Sequence, residues 1–328
     1  MKLSFSLFLL AISHIAIAAP RLARRQSTDE VATVGYATLN GGTSGGAGGT
    51  VTTVTTLDEL TSAVEGNDAK IVIVSGTITG DTVVEVGSNT SVLGASGATL
   101  QGVGLRVLGQ TSVIIRNLII QKVLADAGDA IGIQESSQVW VDHLDLSSDL
   151  DHDKPGNVTD LDILILSYDG LLDITHGCTG ITVTNSYLHD HFKASLVGHS
   201  DSNRDQDTAI TVTYANNYWQ NLNSRTPSFR FGHGHIFNNV YEDNNDGINT
   251  RVGAQLLVEN NVFSGTEEPL YSTDEGFAIA NGNDFGGAEN TAPEGDFTDP
   301  PYDYTLIDTA SVRSRVVGEA GATLGFSA

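Results

Sequence analysis

Five short strand-like stretches carry asparagine in one register: IIRNLII around Asn117, VTNSYL around Asn185, YANNYW around Asn216 and Asn217, IFNNVY around Asn238 and Asn239, and VENNVF around Asn260 and Asn261. The step from Asn216 to Asn238 is 22 residues, and the step from Asn238 to Asn260 is 22 again. A period this short marks a solenoid, because a propeller blade needs about twice as many residues. Around each asparagine the apolar pattern has period two and is rich in β-branched residues, which is the signature of strands. One repeat matches one coil of a parallel β-helix, with asparagines stacked at the same turn of successive coils and their amides bonded to each other and to the turn backbone. Longer steps, 25 residues from Asn117 to Asp142 and 43 from Asp142 to Asn185, read as loops inserted between coils, the second being SSDLDHDKPGNVTDLD. The fold class is all-β.

The flanks of the repeat differ from it. After a Gly-rich link, Gly41 to Gly49, the stretch Leu57 to Val64 has helical spacing with Thr56 as N-cap, and Lys70 to Ile78 opens the series of strands. From Gly265 to Ala328 the repeat is lost and Gly, Asp and Pro accumulate, so this part is expected to wrap back over the coils as a loop-rich cap. Within the inserted loop, Asp149, Asp151 and Asp153 imitate the start of an EF-hand loop. The match fails because Lys154 stands where the sharp turn needs glycine, which leaves a solvated loop.

Residues 1–18 pair a basic Lys2 with an apolar run from Leu7 to Ala18 and end on small residues, as a signal peptide does. The run is shorter than the roughly 18 to 20 residues that span a bilayer. Residues 19–25 end in Arg24-Arg25, which suits dibasic processing, so the expected mature chain is one catalytic domain, residues 26–328, secreted and monomeric. Four of the 16 basic residues and none of the 40 acidic ones precede Gln26, giving a mature charge of 12 minus 40, or -28. Such a field disfavours nucleic acid and anionic membranes as partners. Asn89 and Asn157 head N-glycosylation sequons. Cys178, the only cysteine, rules out an intrachain disulfide and is expected to be a buried packing residue.

Chemistry concentrates in three segments. GDAIGI opens a strand with Asp129, VWVDHLDL follows, and YDGLLDI brings Asp169 and Asp173. An isolated D-x-x-x-D reads as an acidic loop, but Asp129, Asp169 and Asp173 can converge on neighbouring coils. An all-oxygen ligand set suits a hard cation, and Ca2+ tolerates several carboxylates in irregular geometry better than Mg2+. Downstream, Lys193 lies in a His-rich turn, and Arg225 and Arg230 flank Pro227. Cations beside an acidic metal cluster are what a polyanionic ligand needs, because its carboxylates can bridge to the metal and pair with arginine forks.

VWVDH (139–143), DGLLDI with ITVTNSYLHDHFKASLVG (169–198) and RTPSFRFGHGHIFNN (225–239) together resemble the secreted, fungal-type pectate lyases of polysaccharide lyase family 1. The resemblance covers roughly residues 70–265. It implies a single-stranded right-handed parallel β-helix with an N-terminal helix, and a Ca2+-dependent β-elimination of polygalacturonate that leaves a C4–C5 double bond on the new nonreducing end. By the same resemblance Asp129, Asp169 and Asp173 bind Ca2+, Lys193 and Arg230 bind the uronate, and Arg225 is the base. A free guanidinium has a pKa of roughly 12 or above, so activity should rise toward alkaline pH.

The chain departs from the family at Ala127, where some members carry a further ligand. Asp126 stands one place back, and Asp142 and His143 are read as structural hydrogen-bonding residues. Three rivals share the scaffold. A polygalacturonase-like hydrolase is suggested by Gly232-His233-Gly234 but lacks the accompanying N-T-D, D-D and R-I-K motifs. A calcium-free pectin lyase would have lost the three aspartates. A non-catalytic carbohydrate-binding solenoid leaves Lys193, Arg225 and Arg230 unexplained.

Overall fold

A computed structural model describes residues 26–150 and 168–327. The period-two segments become coils of a right-handed parallel β-helix, each coil contributing a short strand to each of three faces. One face is a sheet of ten parallel strands, from Thr50–Val54 through Thr111–Arg116, Ser137–Asp142, Thr179–Thr184, Thr211–Ala215 and His233–Phe237 to Phe277–Asn281. The second face includes Asp145–Ser147, Tyr187–Lys193 and Tyr218–Ser224, and the third Ile131–Gln134, Leu172–Thr175, Leu196–Val197, Ser228–Arg230 and Ile248–Arg251. The long strand Thr99–Leu108 joins these two faces: its first half pairs with Ile119–Gln121 and its second half with Ile131–Gln134.

Asparagine makes the corners. Asn117, Asn185, Asn216, Asn238 and Asn260 have φ between +49° and +58°, a left-handed turn that asparagine tolerates better than most residues. From Asn216 onward the residue after the corner builds the ladder. The Asn217 N–H donates to Asn239 Oδ1 at 2.8 Å, Asn239 N–H to Asn261 Oδ1 at 2.9 Å, and Asn261 N–H to Asn283 Oδ1 at 2.9 Å. Each side-chain amide also donates to a strand carbonyl on the previous coil, Asn239 Nδ2 to Tyr214 O at 3.0 Å and Asn261 Nδ2 to Ile236 O at 2.9 Å. Asn217, Asn239 and Asn261 are buried, and the ladder satisfies turn backbone that the coil geometry would otherwise leave without a partner.

Two expectations are corrected by the register. Asp142 pairs with Arg116 and Thr184, so the corner residue equivalent to Asn117 and Asn185 is the next one, His143, with φ +52°. The repeat also persists past Gly265: Gln255 pairs with Phe277 across another 22-residue step, and Asn283 continues the ladder. That coil is hidden in the sequence because Gly282, with φ +65°, takes the corner that asparagine holds elsewhere.

The interior is filled by Val, Ile and Leu, and by a column of rings in which Trp219 stacks on Tyr241 at 5.8 Å and Tyr241 on Phe263 at 4.4 Å. The helix Leu57–Val64 forms as expected, with Thr56 and Glu59 in a capping box, and seats Leu60 and Val64 against the first coils. The C-terminal segment wraps back over the coils as expected, but as a strap that includes the helix Thr309–Val316 rather than as loop alone. Tyr302 Oη reaches His235 Nδ1 at 2.7 Å, Asn238 Nδ2 donates to Thr305 O at 3.1 Å, and Leu324 N–H donates to Asn117 Oδ1 at 2.7 Å. Among the described residues no helix is long and apolar enough to cross a membrane. Cys178 is buried, with burial pushing its thiol up to about 12. Residues 1–25, Asp151, Asp153 and Asn157 lie outside the described residues.

Candidate active site

The site lies where the second face turns into the third. Asp129 stands just before Ile131–Gln134, and Asp173 lies in Leu172–Thr175 opposite Gly132, so neighbouring coils bring the two carboxylates together. Gly170 sits between them. Its N–H donates to Asp129 Oδ1 at 2.8 Å, and a Cβ there would lie 2.5 Å from Asp173 Oδ1 and 2.9 Å from Asp129 Oδ1. Only hydrogen at that α-carbon leaves both oxygens where they are. Asp173 Oδ1 is further fixed by the Leu196 N–H at 2.9 Å.

The two acids oppose one another electrostatically. Burial, and then the charge of Asp169, push the Asp129 carboxyl up to about 6. Burial, and then Asp129, raise Asp173 well above the usual carboxylate range against the pull of Arg225. Two desolvated carboxylates that both resist ionisation are stabilised by a cation between them. Asp169 is oriented differently: it is 47% exposed and its Oδ1 accepts from Lys193 Nζ at 2.7 Å. Among the described residues no three His, Cys, Asp or Glu side chains already form a cage.

The cations line up alongside. Lys193 ends its strand opposite Ser224, and Arg225 follows Ser224 directly, so the register makes Lys193 and Arg225 neighbours. Arg225 turns the corner with φ +62°, and its Nη1 lies 3.9 Å from Asp173 Oδ2. Arg230 ends the strand Ser228–Arg230, with its Nε donating to Asp201 Oδ1 at 2.5 Å.

Several neighbours escaped the sequence reading. Arg251 pairs in register with Arg230, and its Nη2 lies 3.5 Å from Asp201 Oδ1 and 3.3 Å from Asp274 Oδ2. It follows Arg230 by 21 residues, one short of the 22-residue step, so counting coils along the sequence lands on Val252 beside it. Asp201, on an irregular loop, leaves no periodic signal. Buried His191 donates from Nε2 to the Asp169 carbonyl at 2.6 Å, and its Nδ1 meets Ser148 Oγ. Burial pushes its imidazole down to about 4, so the ring is neutral at ordinary pH.

Asp126 instead lines a hollow of about 370 Å³ with Asp81, Glu85 and Arg106, while Ala127 packs against the core. Asp142 is buried on the outer side of the ten-stranded sheet. It accepts from Arg116 Nε at 2.8 Å, Thr184 Oγ1 at 2.7 Å and Asn185 Nδ2 at 2.8 Å, and meets His143 Nδ1 at 2.7 Å. Asn89 is half-buried at a corner, and its amide donates to Asn67 O at 3.0 Å.

The flank of the solenoid thus presents paired acids beside a row of cations. The family profile described as pectate lyase matches residues 8–323. A probable pectate lyase A of Aspergillus niger is 58% identical over 306 residues, covering 92% of this chain and 91% of its own. Pectate lyase A of Emericella nidulans is 58% identical over 92% of this chain and 90% of its own. Among solved structures, the pectate lyase of Bacillus sp. N165 in complex with trigalacturonate superposes with a TM-score of 0.76 at 30% identity, covering 89% of this chain and 99% of that one. Pectate lyase II of Xanthomonas campestris gives a TM-score of 0.77 at 26% identity over 89% and 98%. The chain belongs to the pectate lyase family and is a polysaccharide lyase.

Proposed function

We propose that the protein is a Ca2+-dependent pectate lyase that cleaves de-esterified α-1,4-polygalacturonate by β-elimination. The observation that carries this reading is the convergence of Asp129 and Asp173 oxygens around Gly170, with Lys193 and Arg225 at the same corner. An all-oxygen set with raised carboxyls fits a hard divalent cation, and Asp129, Asp173 and Asp169 are the residues that would hold Ca2+. When bound there, Ca2+ neutralises the uronate carboxylate and so makes the adjacent C5 proton more acidic.

The remaining work falls to the chain's own side chains. Lys193 and Arg230 pair with uronate carboxylates and fix the sugar in the groove. Arg225 takes the C5 proton, the C4–O4 bond breaks as the C4–C5 double bond forms, and the departing oxygen is protonated from solvent. The product is an oligogalacturonide unsaturated at its new nonreducing end.

The same reading makes residues 1–18 a signal peptide and 19–25 a propeptide, with a secreted, monomeric catalytic domain from residue 26 to 328 and possible glycosylation at Asn89 and Asn157. The deciding experiment follows ultraviolet absorbance of the unsaturated uronate with polygalacturonate as substrate, with and without chelator. Absorbance that chelator abolishes is expected. New reducing ends without absorbance would make the enzyme a hydrolase, and absorbance indifferent to chelator would make it a pectin lyase.

A further inference from the structure

His191 stands at a position that the neighbouring coil fills with a core side chain. It is 1% exposed and pairs in register with Leu222, itself 2% exposed. The corner at Asp190, φ +49°, reverses the strand's alternation just before it, as Asn221, φ +52°, does before Leu222. An imidazole therefore enters the interior where the next coil has an isobutyl group. Such a ring is costly to bury unless its nitrogens are bonded. Both are engaged, Nε2 with the Asp169 carbonyl at 2.6 Å and Nδ1 with Ser148 Oγ. A carbonyl only accepts, so Nε2 carries a proton and donates it to Asp169 O, while Nδ1 meets the serine hydroxyl.

These two partners flank most of the inserted segment, Ser148 near its start and Asp169 seven residues past its last residue, Asp162. Ser148 follows the strand Asp145–Ser147, and Asp169 is where the chain returns toward Leu172–Thr175. Two residues beyond His191, Lys193 holds Asp169 Oδ1 at 2.7 Å. The strand Tyr187–Lys193 thus grips Asp169 twice, by its backbone and by its carboxylate.

From this geometry we infer that His191 is a positioning residue whose ring pins the main chain of Asp169 so that its carboxylate stays within reach of the cation site of Asp129 and Asp173. The inference rests on the calcium reading above. A ring serving packing alone would be replaceable by leucine, as the next coil shows, and that difference is testable.

Calcium is titrated calorimetrically into the purified protein and into His191→Leu and His191→Gln. The leucine variant is expected to keep its circular dichroism spectrum and its unfolding midpoint in chelator, yet to bind Ca2+ about 10- to 100-fold more weakly. Its kcat at saturating Ca2+ should stay within about threefold of the parent. The glutamine variant, whose amide can donate to the same carbonyl, should recover most of the affinity. Unchanged Ca2+ affinity in His191→Leu overturns the inference, as does a fall in kcat with affinity intact. Absence of Ca2+ binding by the parent protein overturns the calcium reading itself, and this inference with it. Should the leucine variant not fold, Ser148→Ala decides, because it leaves the ring in the core and removes only its second contact. A weakening of about threefold or more supports the inference, and unchanged affinity overturns it.

Discussion

Gly170→Ala tests the proposed calcium site without replacing any charged group. Gly170 does not need a left-handed backbone, so alanine meets no conformational penalty there. Its methyl would lie 2.5 Å from Asp173 Oδ1 and 2.9 Å from Asp129 Oδ1. Ordinary contact begins near 3.4 Å, so the oxygens must retreat by 3.4 − 2.5 = 0.9 Å and 3.4 − 2.9 = 0.5 Å. Calcium–oxygen bonds span only about 2.3 to 2.6 Å, a tolerance of roughly 0.3 Å, so both carboxylates cannot follow the ion. A loss of about 10- to 100-fold in Ca2+ affinity is expected, which is roughly 1.4 to 2.7 kcal/mol. Calorimetric titration measures the affinity. Thermal unfolding in chelator checks the fold, and its midpoint should move by less than about 4 °C. Wild-type Ca2+ affinity in a folded Gly170→Ala protein would show that Asp129 and Asp173 do not share a cation.

Other outcomes follow from particular contacts. Asn239→Ala removes a fully buried amide that bridges Asn217, Tyr214 and Asn261, and should cost about 3 kcal/mol in denaturant unfolding, while Asn283→Ala at the more exposed end of the ladder should cost less. Around Asp142, burial works to raise the carboxyl, but hydrogen bonds and charge from His143 and Arg116 outweigh it and hold the group at about 2 rather than 3.8. Its contribution, about 2 kcal/mol, is present above the unfolded value and is lost as pH falls through the folded one. The stability gap between the parent and Asp142→Asn should therefore narrow on acidification from neutral pH to pH of about 2, and a constant gap would refute the assignment. Arg225→Lys should lower turnover on polygalacturonate by about 100-fold or more while Ca2+ affinity is retained, and wild-type rates would remove Arg225 from the base role.

The sequence alone determined the coil. A left-handed asparagine corner and an amide that reaches the next coil are local requirements, so they recur at a fixed step and can be counted along the chain. The same holds for the helix cap at Thr56, whose capping box needs only residues three apart. The residues proposed for the site were legible as motifs, because GDAIGI, YDGLLDI and RTPSFR keep carboxylates and cations at strand ends.

Tertiary structure decided what those residues face. Only pairing between coils sets the register, which placed His143 rather than Asp142 at the corner and let Gly282 conceal the last coil. Only packing around inserted loops sets side-chain direction, which turned Asp169 onto Lys193, sent Asp126 to a separate hollow, and brought Asp201 between Arg230 and Arg251. Contacts between residues many positions apart leave no period to read, and the physical link between His191, Ser148 and Asp169 exists only once the coils are stacked.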